Sequence, residues 1–350
     1  MMRNTSIRSS LLISTAMIAG FFLLCASIYA AGQASLSADR LVLEETESGL
    51  TITLEGPVQA SYGGDRLLAD SAVAVLSDDF SSLDDAIERI ELDGNVSYAG
   101  ADGTSGTASG AIYYARQDRI VLSGSAVLTR GDITASASSV TYGIATSRLE
   151  MSGGVSISDG AITATSESAE YSLDERTGSL SESVEVMYTT GEVLFGSEET
   201  GEEIREVILR AEALYISAAD GIVKTPEGPQ GGRTEIVAGN FSLTADLLTF
   251  RVTEAGINVV EAQGDVSLTG PDLQYLHSDR LYLSTEDRVL RAEGSVEFSV
   301  RDQSGTAESI EVNFAAGWSI RLVGASIEGT VEEPLENEDN STEAGEPSEE

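Results

Sequence analysis

The chain is poor in side chains that carry chemistry. It has one histidine, His277, one cysteine, Cys25, and one lysine, Lys224. A single imidazole with no second candidate beside it reads as a structural or surface residue of a strand next to Leu276 and Tyr282, not as a general base. No G-x-S-x-G nucleophile elbow opens a helix. Lys224 is followed by Thr225 and Pro226 without the glycines that cradle a phosphate. The remaining chemistry is acidic, at Asp39, Asp70, Glu167, Glu212, Asp246, Asp279 and Glu308. These recur along the chain and could in principle hold calcium, but the G-G-x-G-x-D pattern of calcium-binding β-rolls is missing. Their expected role is local, accepting backbone N–H bonds at bends. Neither a catalytic site, a cofactor nor a metal site is expected.

Charge and composition exclude further classes. The net charge is −38, and residues 1–34 contribute two arginines and no acid, so residues 35–350 stand at −40. Nucleic acid is excluded as a natural partner, because phosphate binding needs a basic face. Such an acid-rich, lysine-poor surface suits a saline habitat. Residues 1–34 read as an export signal: Arg3 and Arg8 precede an apolar run from Leu11 to Ala31, with small residues near Gly32–Ala34 or Ile28–Ala30 for cleavage. The run is also long enough to be kept as an inner-membrane anchor, residues 11–31. Leu24 before Cys25 argues against lipidation, and without residues 1–34 no cysteine is left for a disulfide or thiolate site.

The elements that must place any site are β-strands. Hydrophobic residues make up 41%, but aromatics only 6%; there are 35 glycines and six prolines. That suits many short strands with an aliphatic core. Two signatures alternate. One is G-x-V-x-Φ, with Φ apolar, at Gly56, Gly94, Gly154, Gly264 and Gly294, with looser copies at Gly124 and Ser183. The other, [A/S]-[D/E/S]-x-Φ-x-Φ, starts at Ala38, Ala69, Ala108, Ala137, Ser166, Ala211, Ala245, Ser278 and Ala307. Its spacing centres near 30 residues, with longer gaps of 39 and 45. An inserted loop is expected near 189–203 and a second at 225–234. Residues 117–146 illustrate one unit: a turn, a strand Arg119–Leu128, a hairpin turn, and a strand Ile133–Tyr142. Asp84–Leu92 fits a helical turn or a strand. Each unit should hold two or three strands.

Within the second signature the apolar phase flips, as from Ile133, Ala135 and Ala137 to Val140 and Tyr142. Keeping both halves on one interior requires a bulge or corner there. Stacked corners would curl the sheet around an apolar interior. Inward residues after the corner are expected to include Leu41, Leu43, Tyr113, Val140, Tyr142, Tyr171, Leu214, Phe250 and Leu283. From the glycine strands come Val96, Tyr98, Leu128, Val155, Ile157, Val186, Val266, Leu268, Val296 and Phe298. Singly these are ordinary core residues. Together, in a curled sheet that stays open, they would line a trough of roughly 40 Å or more, suited to acyl chains at ~0.8 kcal/mol per buried methylene.

The alternation of A-D-x-L-x-Y with G-x-V-x-Φ, clearest from Asp118 to Tyr171, resembles the OstA-like repeat of the LptA family of periplasmic lipopolysaccharide-transport proteins. The resemblance covers most of residues 36–330. It implies an elongated, open β-jellyroll of about nine repeats whose interior shields the acyl chains of lipopolysaccharide or a related glycolipid. It also implies a periplasmic location and partners among other components of the transport bridge, or further copies of the chain, joined edge strand to edge strand. The chain is longer and more acidic than a small LptA, which leaves an anchored, LptC-like role open. A filled β-solenoid, serving as an envelope scaffold or adhesin stalk, is the alternative. The expected layout is a signal at 1–34, a β domain at 35–330 with Trp318 capping its end, and a disordered acidic tail at 331–350.

Overall fold

The structure is a computed structural model; it describes residues 27–29, 35–46, 49–77, 86–189, 206–226, 232–253, 256–271, 273–301, 303–313 and 319–329. The expected export segment, apart from Ser27–Tyr29, lies outside these residues. So do most of the expected loop at 189–203, the centre of the loop at 225–234, Trp318 and the acidic tail. No helix among the described residues is long and apolar enough to cross a membrane.

The chain is all β. The strands are β1 (Ser27–Tyr29), β2 (Ser35–Ser37), β3 (Arg40–Thr46), β4 (Gly49–Tyr62), β5 (Asp65–Leu76), β6 (Ile87–Ala99), β7 (Ser105–Tyr114), β8 (Arg119–Arg130), β9 (Ile133–Gly143), β10 (Arg148–Asp159), β11 (Ile162–Ser172) and β12 (Thr177–Thr189). They continue with β13 (Glu206–Ser217), β14 (Ile222–Lys224), β15 (Thr234–Ala238), β16 (Phe241–Ala245), β17 (Leu247–Thr253), β18 (Gly256–Thr269), β19 (Leu273–Ser284), β20 (Val289–Val300), β21 (Gln303–Asn313), β22 (Ser319–Val323) and β23 (Ser326–Gly329). From β4 to β13 each strand pairs antiparallel with the next, a meander in which hairpin follows hairpin. Next come two interrupted strands. β14 and β15 both pair with β13, and β17 and β16 both pair with β18. Unbroken strands then resume through β21. Each ~30-residue unit therefore supplies two strands, the lower of the two numbers the spacing allowed.

Nearly every long strand is interrupted once, in its middle. Between β8 and β9 the register passes from Ser123↔Ser139 to Ala126↔Ala137. Two residues, Gly124 and Ser125, therefore face one, Ser138. Both Gly124 and Ser125 have positive φ, as do Gly94 with Asn95, Gly264 with Asp265, and Gly294 with Ser295. The corner falls where the phase flip places it, but the extra residue sits on the glycine strand, not on the strand whose pattern flips. Glycine is suited to the first position because φ near +75° costs it nothing.

The bulges stack into a spine, about which the sheet doubles over. The halves holding Ile120, Leu122, Val140 and Tyr142 form one layer. The halves holding Ala126, Leu128, Ile133 and Ala135 form the other. All eight are buried in one continuous apolar core. With strands ~4.8 Å apart, this interior runs roughly 80 Å from β3 to β22. The layers meet: facing side chains fill the space expected to be a trough. Opposite the spine, two rows of hairpin turns face each other and form the mouth of the fold.

Candidate functional site

The second residue of the [A/S]-[D/E/S] signature has a specific job on the spine. A Cβ placed on Gly94 would lie 2.5 Å from the Asp70 carboxylate, and one on Gly264 would lie 2.6 Å from that of Asp246. Asp39 lies over Gly56, Ser109 over Gly124, Ser138 over Gly153 and Asp279 over Gly294 in the same way. The two signatures are thus two sides of one contact: a short polar side chain seated on the glycine of the following strand. Asp70 accepts a hydrogen bond from Asn95 Nδ2 at 2.8 Å, and Ser109 Oγ donates to the Gly124 carbonyl at 3.0 Å. The expectation that these acids accept backbone N–H bonds is therefore replaced by side-chain cover of a close backbone approach. Among the described residues no group of three or more acids, histidines or cysteines is arranged to hold a metal.

Most residues expected in the groove lie in the shared interior. Val96, Tyr98, Tyr113, Leu128, Val140, Tyr142, Val155, Ile157, Tyr171, Val186, Leu214, Phe250, Val266, Val296 and Phe298 are buried, and Leu268 and Leu283 are partly buried against the same core. Leu43 is the correction. It is 57% exposed, because β3 forms the first edge and pairs on one side only with β4 over its length. Alternation within an edge strand reports a face, but nothing need cover that face. His277 is exposed on β19 and its ring stacks on Tyr275 with centroids 5.3 Å apart.

The periodicity gave no sign of what lies at the mouth. The last position of the second signature is tyrosine in three successive units, and each hydroxyl crosses to a carboxylate on the opposite row of turns. Tyr113 donates to Asp65 at 3.3 Å, Tyr142 to Asp102 at 2.5 Å and Tyr171 to Asp159 at 2.5 Å. Arginines extend the bridges. Arg176 pairs with Asp159, and Arg130 reaches Asp174 at 2.8 Å and the Ser147 hydroxyl at 3.1 Å. Two clefts open along this part of the mouth. One, of about 240 Å³, is lined by Tyr62, Asp65, Asp102, Tyr113 and Ile144; the other, of about 270 Å³, by Arg130, Ile133, Leu173 and Arg176.

The electrostatics follow from burial and partners. Burial raises the Asp65 carboxyl above its ordinary value, against the N–H of Ala101 and the hydroxyl of Tyr113. Asp102 also meets a desolvation cost, but hydrogen bonds from Tyr142 and Thr104, with Arg130 nearby, hold its pKa below the ordinary value. Burial and the facing carboxylates push the phenols of Tyr113, Tyr142 and Tyr171 up, so each stays a donor at any physiological pH. Tyr98 is buried beside this cluster and its hydroxyl has no partner. A sequence signal for the bridges did exist: tyrosine at three equivalent positions, each with an aspartate beside a glycine turn.

Residues 35–148 match the model of a family described as LptA/(LptD N-terminal domain) LPS transport protein. No curated protein matches the chain. Among solved structures it is similar to the crystal structure of LptH, the LptA homologous periplasmic component of the conserved lipopolysaccharide transport device from Pseudomonas aeruginosa. The identity is 15%, the match covers 36% of this chain and 94% of that chain, and the TM-score is 0.31. Residues 35–148, about a third of the chain, are thus similar to the LptA/LptD N-terminal family of lipopolysaccharide-transport proteins.

Proposed function

We propose that the chain is a non-enzymatic component of lipopolysaccharide transport. It is exported to the periplasm and shields the acyl chains of lipopolysaccharide or a related glycolipid between its two sheet layers. The observation that supports this most is the single apolar interior running from β4 to β21, together with the family match at residues 35–148. An acyl chain entering between the layers exchanges one set of hydrocarbon contacts for another. Each methylene removed from water adds ~0.8 kcal/mol, so a twelve-carbon chain brings a gross gain of ~10 kcal/mol against the cost of parting the layers. The strongly acidic surface repels a phosphorylated head group, which keeps the head outside the mouth.

Edge pairing with other bridge components or with further copies of the chain fits both ends. β3 exposes Leu43, and the last edge, β22 and β23, exposes Ile320, Val323 and Ile327. Unpaired strands with apolar side chains suit pairing with another strand.

The test is mass spectrometry of lipid that copurifies with the exported protein, followed by titration with a fluorescent acyl probe. Recovered glycolipid and saturable probe binding support the carrier. A second reading, an envelope scaffold, is favoured by one observation: the interior is filled by its own side chains, with Val140, Tyr142 and Val266 fully buried. Lipid-free protein that binds no probe establishes the scaffold and ends the carrier reading.

A further inference from the structure

The mouth is not uniform along its length. In the central units its inner residues Ile120, Leu128, Tyr142, Leu149 and Ile157 are buried. At the corresponding positions of the C-terminal units Leu268, Leu283, Leu290 and Val312 are only partly buried, while Phe250 and Phe298 stay buried. This is not a simple end effect, because Leu268 lies on β18, with β19, β20 and β21 still to follow. The sequence supplies the cause. Five residues after each signature start stand Tyr113, Tyr142 and Tyr171 in the central units, but Phe250, Leu283 and Val312 in the last three. The latter have no hydroxyl to donate, so the cross-mouth bridge cannot form there.

We infer that the three tyrosine–carboxylate bridges are latches that hold the central mouth shut, so that the layers part, and an acyl chain enters, along the unlatched stretch from β18 to β21. The Tyr142–Asp102 and Tyr171–Asp159 bridges, at 2.5 Å, are short charge-assisted hydrogen bonds, among the stronger a protein makes, while Tyr113–Asp65 at 3.3 Å is the weakest of the three. Among the described residues no tyrosine–carboxylate bridge joins the C-terminal layers, and the partly buried Leu268, Leu283 and Leu290 belong to the same apolar cluster as buried Leu276, Leu281 and Val296. The occupant is an acyl chain because that path is aliphatic and continuous with the rest of the interior. Acyl entry rests on the carrier reading; the latches do not.

The experiment uses the exported full chain and the variant Tyr113→Phe/Tyr142→Phe/Tyr171→Phe, which keeps the rings and deletes the hydroxyls. Hydrogen exchange at the mouth ends of β7, β9, β10 and β11 should quicken at least tenfold, with the spine around Ser123–Ala126 unchanged; unchanged exchange at the mouth overturns the latch. Should the triple variant unfold, Tyr142→Phe alone is read at the mouth ends of β7 and β9. A photoactivatable fatty-acyl probe should label residues 256–313 of the wild type and spread to residues 98–176 in the variant. Wild-type labelling concentrated at 98–176 overturns the C-terminal opening. No labelling in either protein removes the carrier reading, while the exchange rates still decide the latch.

Discussion

Replacing Gly94 by alanine tests the spine. Gly94 has φ +74°, and an added Cβ would meet the Asp70 carboxylate at 2.5 Å. A left-handed alanine costs ~1–2 kcal/mol. The contact requires Asp70 to move and give up its hydrogen bond from Asn95, a repacking cost of ~1–3 kcal/mol. Gly131 separates the two terms: its φ is +58°, with nothing within 4 Å of an added Cβ, so Gly131→Ala should show the backbone term alone. For a chain of this size 1 kcal/mol moves the thermal midpoint by about 2 °C. Gly94→Ala should then lower it by ~4–10 °C and Gly131→Ala by ~2–4 °C, with midpoints read by circular dichroism. Adding Asp70→Ala to Gly94→Ala should recover part of the difference. If Gly94→Ala and Gly131→Ala behave alike, or if removing Asp70 rescues nothing, the reading of the two signatures as one contact is wrong.

The aspartates of the mouth should respond to pH in opposite senses. Asp65 has a raised pKa in the fold, so its contribution to stability is full below the ordinary value of 3.8 and is lost as pH rises through its folded value. Asp65→Asn should therefore raise the thermal midpoint at pH 7, with the gain vanishing below about pH 4. Asp102 has a lowered pKa; its contribution is present above 3.8 and lost as pH falls through the folded value. Asp102→Asn should lower the midpoint at pH 7, and the same pH series checks both. Asp159 is 3% exposed and its partner Arg176 is 41% exposed, so Arg176→Leu should cost ~1–3 kcal/mol in urea unfolding, less than the break of a fully buried pair. Leu268→Glu puts a carboxylate on the half-buried part of the mouth. It should weaken acyl-probe binding at least tenfold by fluorescence titration and leave the thermal midpoint within ~3 °C.

The fold was readable because the doubled sheet needs two irregularities that sequence records well. One is a residue free to take positive φ, visible as Gly94, Gly264 or Gly294. The other is a phase slip in the neighbouring strand, visible at Ala137 to Val140. What was hidden is relational. Nothing in the alternation of β9 says that Ser138 covers Gly153, since pairing partners 15 residues apart leave no local trace. The assignment of the extra residue to the wrong strand has the same origin, because a phase slip and a bulge look alike along one strand and are told apart only by the partner. At the mouth, Tyr113, Tyr142 and Tyr171 fit the apolar period as well as leucine does. Their hydroxyls became meaningful only when Asp65, Asp102 and Asp159 arrived from the other layer. Leu43 shows the converse: its alternation is correct, but no strand lies beyond β3 to cover it.

From β5 to β12 each strand bonds only to those just before and just after it in the chain. Such a molecule can be lengthened by copying. A tandem duplication of one ~30-residue unit would insert two strands, extend the apolar interior by about 10 Å, and ask for no type of contact that the existing units lack. The span such a protein bridges is thus a quantity that gene duplication can adjust in fixed increments.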